Sequence, residues 1–335
     1  MRYIDLTPAQ AETAQETADN FMPIHTDSLR MDTSPPFALY FRPGADKPYV
    51  LYCERKTQFT REARRRLLQN RIDQLYISEK DRRFYSRYVA DNLAEILKDP
   101  KLTVREKSVI LYDSAQAVVE DVLKKPGERT HIERGKMIVQ RTVEFMRSEE
   151  FMLEHLLRTI SCDYYLYTHS VNVVAYSIAL AMRAGFVDPA TLREIANGAL
   201  LHDVGETLVD RAAVNKTGAL SAEEWDQVRR HPEEGHAILQ KGGGLGEIAL
   251  DIVLHHHEKL NGTGYPHGLK GDEISNFVRI VVIADIFDAL TTERHHQKAR
   301  SSFEALKLMG ETMREELDTE LFRHFVSMMG LKARK

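Results

Sequence analysis

Twelve of the 14 histidines fall between His131 and His296, and only His25 and His324 lie outside that span. Imidazole is a common metal ligand and proton carrier, so the clustering directs attention to chemistry in the C-terminal half. His202-Asp203 closes the apolar run EIANGALLHD, just before Val204-Gly205. Consecutive positions on a helix diverge by about 100°, so these two do not chelate as a simple pair. At a helix end the divergence is useful: a carboxylate has two oxygens and can bridge two ions while the imidazole binds one of them. His255-His256-His257-Glu258 supplies three more imidazoles where a second helix stops, as Asn261-Gly262-Thr263-Gly264 indicates. His169 opens a further helix, and His231 precedes Pro232 at another junction. Asp285 sits inside the apolar stretch IVVIADIFDAL. A buried unpaired carboxylate costs several kcal/mol, so Asp285 needs a cation, a cap or a metal. Asp288, three residues on, shares its face and is read as the structural partner. Taken singly, each histidine fits a surface or capping role and Asp285 fits a salt bridge. Taken together, the set points to a metal site.

The elements that must position these groups are mostly helical. Residues 1–48 are broken by Pro23, Pro35, Pro36, Pro43 and Pro48 and show no long helix. Tyr49–Cys53 and Gln74–Ser78 read as short strands, Thr60–Gln69 as a basic helix, and Glu79–Leu97 as a helix with apolar spacing. After Asp99-Pro100 almost everything is helical. Thr103-Val-Arg-Glu106 is a capping box opening a helix to about Leu123, which Pro126-Gly127 ends. Further helices are expected over His131–Arg147, Phe151–Ile160, Tyr165–Ala184 and Pro189–His202. Ser221-Ala-Glu-Glu224 is a second capping box; its helix runs into His231-Pro232. Helices over 233–240, 245–256, 275–292, 303–312 and 319–329 complete the chain. The expected fold is mainly α: an all-α bundle preceded by a small α/β or α+β module. The expected domains are a sensory or regulatory module at 1–100, connecting helices at 101–150 and a metal-site domain at 151–335. The arginines at 61, 64, 65, 66, 71, 82, 83 and 87 are read as a solvated helix face.

Composition bounds the alternatives. The 335 residues are 43% apolar and 29% charged, which permits an ordinary core and excludes fibrous, disordered and disulfide-scaffold classes. A net charge of −4 argues against duplex nucleic acid or an anionic membrane as partner. Cys53 and Cys162 are far apart, as a reducing compartment predicts. No apolar run reaches the roughly 20 residues a membrane span needs, and MRYIDLTPAQAE lacks a secretory h-region. A cytoplasmic location is expected.

The motifs in order resemble the HD-GYP subgroup of the HD-domain metal-dependent phosphohydrolases, over about Asp163 to Phe325. They are His169-Ser-Val-Asn-Val173, His202-Asp203-Val204-Gly205, Leu220-Ser-Ala-Glu-Glu-Trp225 and His231-Pro232. His256-His257-Glu258 then leads to Asn261-Gly-Thr-Gly-Tyr-Pro266, followed by Gly268-Leu-Lys-Gly271 and Ala284-Asp285-Ile-Phe-Asp-Ala-Leu-Thr291. The resemblance implies hydrolysis of cyclic di-GMP, or of a relative such as cyclic GMP-AMP, to linear pGpG or GMP. It implies two divalent ions, with iron or manganese suiting mixed imidazole and carboxylate ligands. One ion would take His169, His202, Asp203 and Asp285; the other would take Asp203 as bridge, His231, His256 and His257. Some members hold a third ion through a glutamate whose position here is Tyr165, so a binuclear site is expected. Two cations about 3.5–4 Å apart neutralise a phosphodiester and activate a bridging water for in-line attack. Gly264, Tyr265 and Pro266 would lie against the substrate, and Arg294 matches a phosphate-contacting position.

Two departures bear on substrate rather than metal. The family's HD-x-G-K lysine is Glu206 here, which reverses the local field beside an anionic ligand. After Arg294 the usual continuation is replaced by His295-His296-Gln297-Lys298. A catalytically weak cyclic-dinucleotide receptor is therefore the alternative reading, and a phosphohydrolase of other nucleotides a third. The N-terminal module is read as a sensor or dimerisation surface, with a second copy or a signalling protein as its partner.

Overall fold

Short strands and capped helices account for most of the chain. The structure is a computed structural model that describes residues 21–44, 47–70, 72, 74–100, 102–148, 166–209, 221–293 and 298–330. The chain divides into two units, residues 1–117 and 118–335.

In the first unit, strands β1 (Phe21–His25), β2 (Leu39–Phe41), β3 (Val50–Cys53) and β4 (Gln74–Ser78) form one sheet in the order β1-β4-β2-β3, every neighbouring pair antiparallel. The expected β3 and β4 are present; β1 and β2 lie in the proline-broken region 1–48, for which no strand was expected. Pro23 is tolerated because β1 is an edge strand, where a missing N–H need not interrupt the ladder. Helices α1 (Arg61–Gln69) and α2 (Arg82–Lys98) follow β3 and β4. Thr60 caps α1 by accepting from the Ala63 N–H. Ile24, Phe37, Leu39, Phe59, Leu75 and Ile77 are buried and fill this unit's core.

Not every arginine of the first unit is solvated. Arg64 is largely buried and its Nη2 lies 2.7 Å from Asp27, while Arg30 Nη1 lies 3.1 Å from Asp99. The expected solvated face therefore loses Arg64 to an ion pair with a residue far away in sequence.

Helix α3 (Val104–Lys124) contains the division between the units. Its start carries the expected capping box, with Glu106 accepting from the Thr103 N–H at 2.8 Å. The second unit continues with α4 (Arg129–Ser148), α5 (Leu166–Arg183), α6 (Pro189–Leu201), α7 (Ala222–Arg229) and α8 (His231–Gly242). Then come α9 (Glu247–His255), α10 (Asn276–Thr291), α11 (Ser302–Thr312) and α12 (Thr319–Gly330). The expected helix over Phe151–Ile160 lies outside the described residues. Asp188 caps α6 and Pro189 occupies its first turn, a pre-organised start.

Helix α6 is central, packed against α4, α5 and α9, and α10 packs on α5. Leu192, Ile195, Ala196 and Ala199 of α6, Ile252 and Val253 of α9, and Ile280, Val281 and Ile283 of α10 are fully buried. Helix α10 is buried around most of its circumference, which is why its sequence is a continuous apolar run rather than an alternating face. Among the described residues no helix is long and apolar enough to cross a membrane.

Candidate metal centre

Five imidazoles and Asp203 meet where helices of the second unit begin and end, joined by Asp285 from the middle of a helix. His202 is the residue that closes α6, and Asp203 starts a 3-10 turn over Val204–Leu208. His231 is the first residue of α8, His256 closes α9, His169 lies in the first turn of α5, and Asp285 lies in the middle of α10. Gly205 is required by this convergence: a Cβ there would lie 2.0 Å from the His231 carbonyl oxygen. The sharp turn after Asp203 can thus lie directly on the start of α8.

Asp203 is the hub. Its Oδ2 lies 3.1 Å from His202 Nε2 and 3.5 Å from His169 Nε2. Its Oδ1 lies 3.5 Å from both His231 Nε2 and His256 Nε2. Asp285 Oδ1 lies 3.2 Å from His169 Nε2 on the first side. Two groups of donor atoms result: His169, His202 and Asp203 in one, and Asp203, His231, His256 and His257 in the other. The buried carboxylate therefore offers one oxygen to each imidazole set.

The outer nitrogens fix which ring atom is offered. His202 Nδ1 donates to Ala199 O at 2.8 Å, His231 Nδ1 to Val228 O at 2.7 Å, and His256 Nδ1 to Val253 O at 2.9 Å. A carbonyl only accepts, so Nδ1 carries the proton and Nε2 faces inward as the ligand atom. His169 is held differently: Nδ1 lies 2.8 Å from Asp288 Oδ2, and Asn172 donates to Asp288 Oδ1 at 2.8 Å. Asp288 is thus a partner of His169, the carboxylate–imidazole arrangement that orients metal-binding histidines.

The electrostatics leave a place for a cation, most plainly between His231 and His256. Burial opposes charge on His169, but the hydrogen bonds and charges of Asp285 and Asp288 outweigh it and push its pKa up to about 10. Burial, followed by His256 alongside, depresses His231 to about 4. His231 Nε2 nevertheless lies 3.1 Å from His256 Nε2, and two lone pairs facing at that distance repel unless a cation lies between them. His202 Nε2 is buried and, among the described residues, has no hydrogen-bond partner. Burial would raise both Asp203 and Asp285, yet the neighbouring imidazoles hold both carboxyls well below the usual range. Ligand atoms about 2.0–2.2 Å from one ion lie about 2.8–3.6 Å from each other at octahedral or tetrahedral angles. The separations of 3.1–3.5 Å around Asp203 fit. The residues present suit a metal centre.

The loop after α9 borders this cluster. The Tyr265 ring lies 4.7 Å from the His257 ring, inclined by 30°. A Cβ on Gly264 would meet the Glu258 Cα at 2.5 Å, so glycine lets the loop lie against the 257–259 backbone. Pro266 follows Tyr265 in a cis peptide. Burial, with the negative charges of Asp203, Asp285 and Glu206, pushes the Tyr265 phenol upward. Glu206 lies in the 3-10 turn that follows Asp203. Arg294, Tyr165 and Cys162 lie outside the described residues.

Glu258 escaped the sequence reading as a working residue. It is buried, and its carboxylate accepts from the N–H groups of His267 at 2.7 Å, Gly268 at 3.0 Å and Leu269 at 3.0 Å. Three backbone donors on one carboxylate pin the loop that carries Tyr265. The available signal was an acid directly after the histidine run and before a glycine-rich segment.

A helical bundle with such a cluster in its interior is of the kind in which facing helices can build a metal site. The sequence matches the HD domain over residues 152–321, about half of the chain, and the chain belongs to that family; its motifs place it in the HD-GYP group. It is 39% identical over 176 residues to a cyclic di-GMP phosphodiesterase of Pseudomonas aeruginosa, covering 52% of this chain and 42% of that protein. It is 39% identical over 154 residues to 3'3'-cGAMP-specific phosphodiesterase 3 of Vibrio cholerae, covering 46% of this chain and 33% of that one. The match thus spans less than half the length of either relative. An HDG"Y"P protein from Bdellovibrio bacteriovorus shares the fold, with a TM-score of 0.64 and 24% identity over 93% of this chain and all of that one.

Proposed function

We propose that this protein is a metal-dependent cyclic-dinucleotide phosphodiesterase acting on cyclic di-GMP. The observation that carries the reading is the split of Asp203, whose two oxygens face two separate sets of imidazole Nε2 atoms. Two ions are proposed, iron or manganese, one held by His169, His202, Asp203 and Asp285 and the other by Asp203, His231, His256 and His257. Ions bound there would supply the positive charge that neutralises a phosphodiester and acidifies an attacking water. The chain's own residues do the rest. Asp288 and the three backbone carbonyls hold the imidazoles with Nε2 inward. Glu258 fixes the Gly264–Pro266 loop, and the Tyr265 phenol stays protonated and can donate to a phosphate or ribose oxygen. The relatives named above supply the substrate class by similarity.

Purified protein loaded with iron or manganese should convert cyclic di-GMP to linear pGpG or GMP, followed by chromatography. Binding with no linear product across several metals would favour the receptor reading instead, which rests on the negative charge of Glu206 near Tyr265. A cytoplasmic location, and a sensory role for residues 1–100 through a second copy or a signalling protein, complete the proposal.

A further inference from the structure

We infer that Arg229 and Trp225 form the substrate-binding edge of this site, Arg229 pairing with a phosphate and Trp225 stacking on a purine base. The inference rests on the proposed cyclic-dinucleotide reading and gives a role to Arg229 and to Trp225, the last residue of the 220–225 motif, which the sequence reading left without one. Helix α7 presents Trp225 and Arg229 four residues apart on one face, with the Arg229 guanidinium carbon 5.1 Å from the centre of the Trp225 ring. The same carbon lies 5.5 Å from the centre of the Tyr265 ring. Tyr265 in turn lies 4.7 Å from His257. Trp225, Arg229, Tyr265 and His257 therefore make a row leading from solvent to the metal cluster.

Charge and exposure give the row its use. Asp203, Asp285 and Glu206 all act on Tyr265 as negative charges, and Arg229 is the positive charge that opposes them. A ligand with two phosphates approaching Tyr265 meets an acid at position 206 and needs a cation nearby. Arg229 is exposed, and among the described residues no carboxylate pairs with it, whereas its neighbour Arg230 is paired with Asp226. Trp225 is 43% exposed. A large aromatic face held beside a guanidinium suits a base next to its phosphate, since each base offers a π-face to stack.

Trp225 is the protein's one tryptophan, so its fluorescence reports this edge directly. The full chain is loaded with manganese and titrated with cyclic di-GMP while tryptophan emission, calorimetric binding and turnover are followed. The wild type should show a saturable change in emission. Arg229→Ala should raise Kd and KM about 10- to 100-fold, the range for losing a charged hydrogen bond, with kcat changed less than about twofold and metal content unchanged. Arg229→Lys should recover part of the affinity, which a merely structural arginine would not. Trp225→Ala should weaken binding about tenfold, as loss of one stacked base predicts, with an unaltered circular dichroism spectrum. A wild type that binds cyclic di-GMP with silent emission, and an Arg229→Ala variant of unchanged Kd and KM, would overturn the inference and leave the phosphodiesterase reading standing. A wild type that neither binds nor cleaves the ligand would bring down that reading and this inference with it.

Discussion

The two units bury charge in opposite ways. In the first, opposite charges meet: Arg30 reaches Asp99, Arg64 reaches Asp27, and the buried Asp81 meets Arg55 at 2.8 Å. In the second, groups that need the same partner meet. Imidazole Nε2 atoms face one another and face Asp203, with Asp285 alongside. The first arrangement neutralises itself. The second turns several imidazole nitrogens and two carboxylates toward one point where a cation can be held, and that convergence separates a site from a strut. Counting charged residues cannot separate the two cases; the pairing does.

Removing the hub should break this comparison most completely. Asp203→Ala takes the one carboxylate that both imidazole sets share, so metal content should fall from about two ions per chain to less than one. Turnover of cyclic di-GMP should fall below detection while the helical circular dichroism persists. Elemental analysis and a product assay check both halves; a variant that keeps its ions and its activity removes the bridging role of Asp203. Asp288→Asn is the next largest effect. Asn172 and His169 both donate to Asp288, and an amide offers only one acceptor oxygen, so one donor would face another. Metal affinity should drop about 10- to 100-fold, the usual cost of losing a ligand's orienting partner, as read by competition with a chelator dye.

What was legible in the sequence, and what was not, follows the same division. Two helices were legible at their starts because those carry local signals: Thr103 with Glu106 and Ser221 with Glu224. The seven groups of the cluster were legible because a histidine or acid at a helix end, or an acid in an apolar run, contradicts its surroundings. Asp288 and Glu258 were harder. One acts on an imidazole 119 residues away and the other on backbone N–H groups, and neither interaction leaves a spacing to read. Strands β1 and β2 were hidden by the prolines around them, since only the sheet order shows that β1 lies at an edge where Pro23 is tolerated. Arg64 looked solvated because its partner, Asp27, stands 37 residues earlier.

A smaller effect tests the field beside the cluster. Glu206 contributes a negative charge at Tyr265 where the family's usual residue is a lysine. Glu206→Lys reverses that charge, and affinity for cyclic di-GMP should rise about tenfold, roughly 1.4 kcal/mol. Isothermal titration at two salt concentrations checks it, because an electrostatic gain shrinks as salt rises. An unchanged Kd would show that the side chain points away from the ligand.

The smallest effect belongs to the first unit. Arg30 is largely buried, donates to the Asp27 carbonyl at 2.7 Å and pairs with Asp99 at 3.1 Å. Arg30→Ala leaves Asp99 with the more distant Arg64, 4.0 Å away. Loss of one member of a buried ion pair together with its hydrogen bonds costs about 1–3 kcal/mol. Because the cluster of the second unit would be neutralised by a bound cation and not by these pairs, metal content and KM should stay at wild-type values. Hydrogen exchange resolves the two, with faster exchange expected in β1 and α2 and unchanged protection in α6 and α9. If α6 and α9 loosened as well, or the ions were lost, the charge pairs of the first unit would be part of the metal centre's support, and the contrast between the two units would fail at its weakest point.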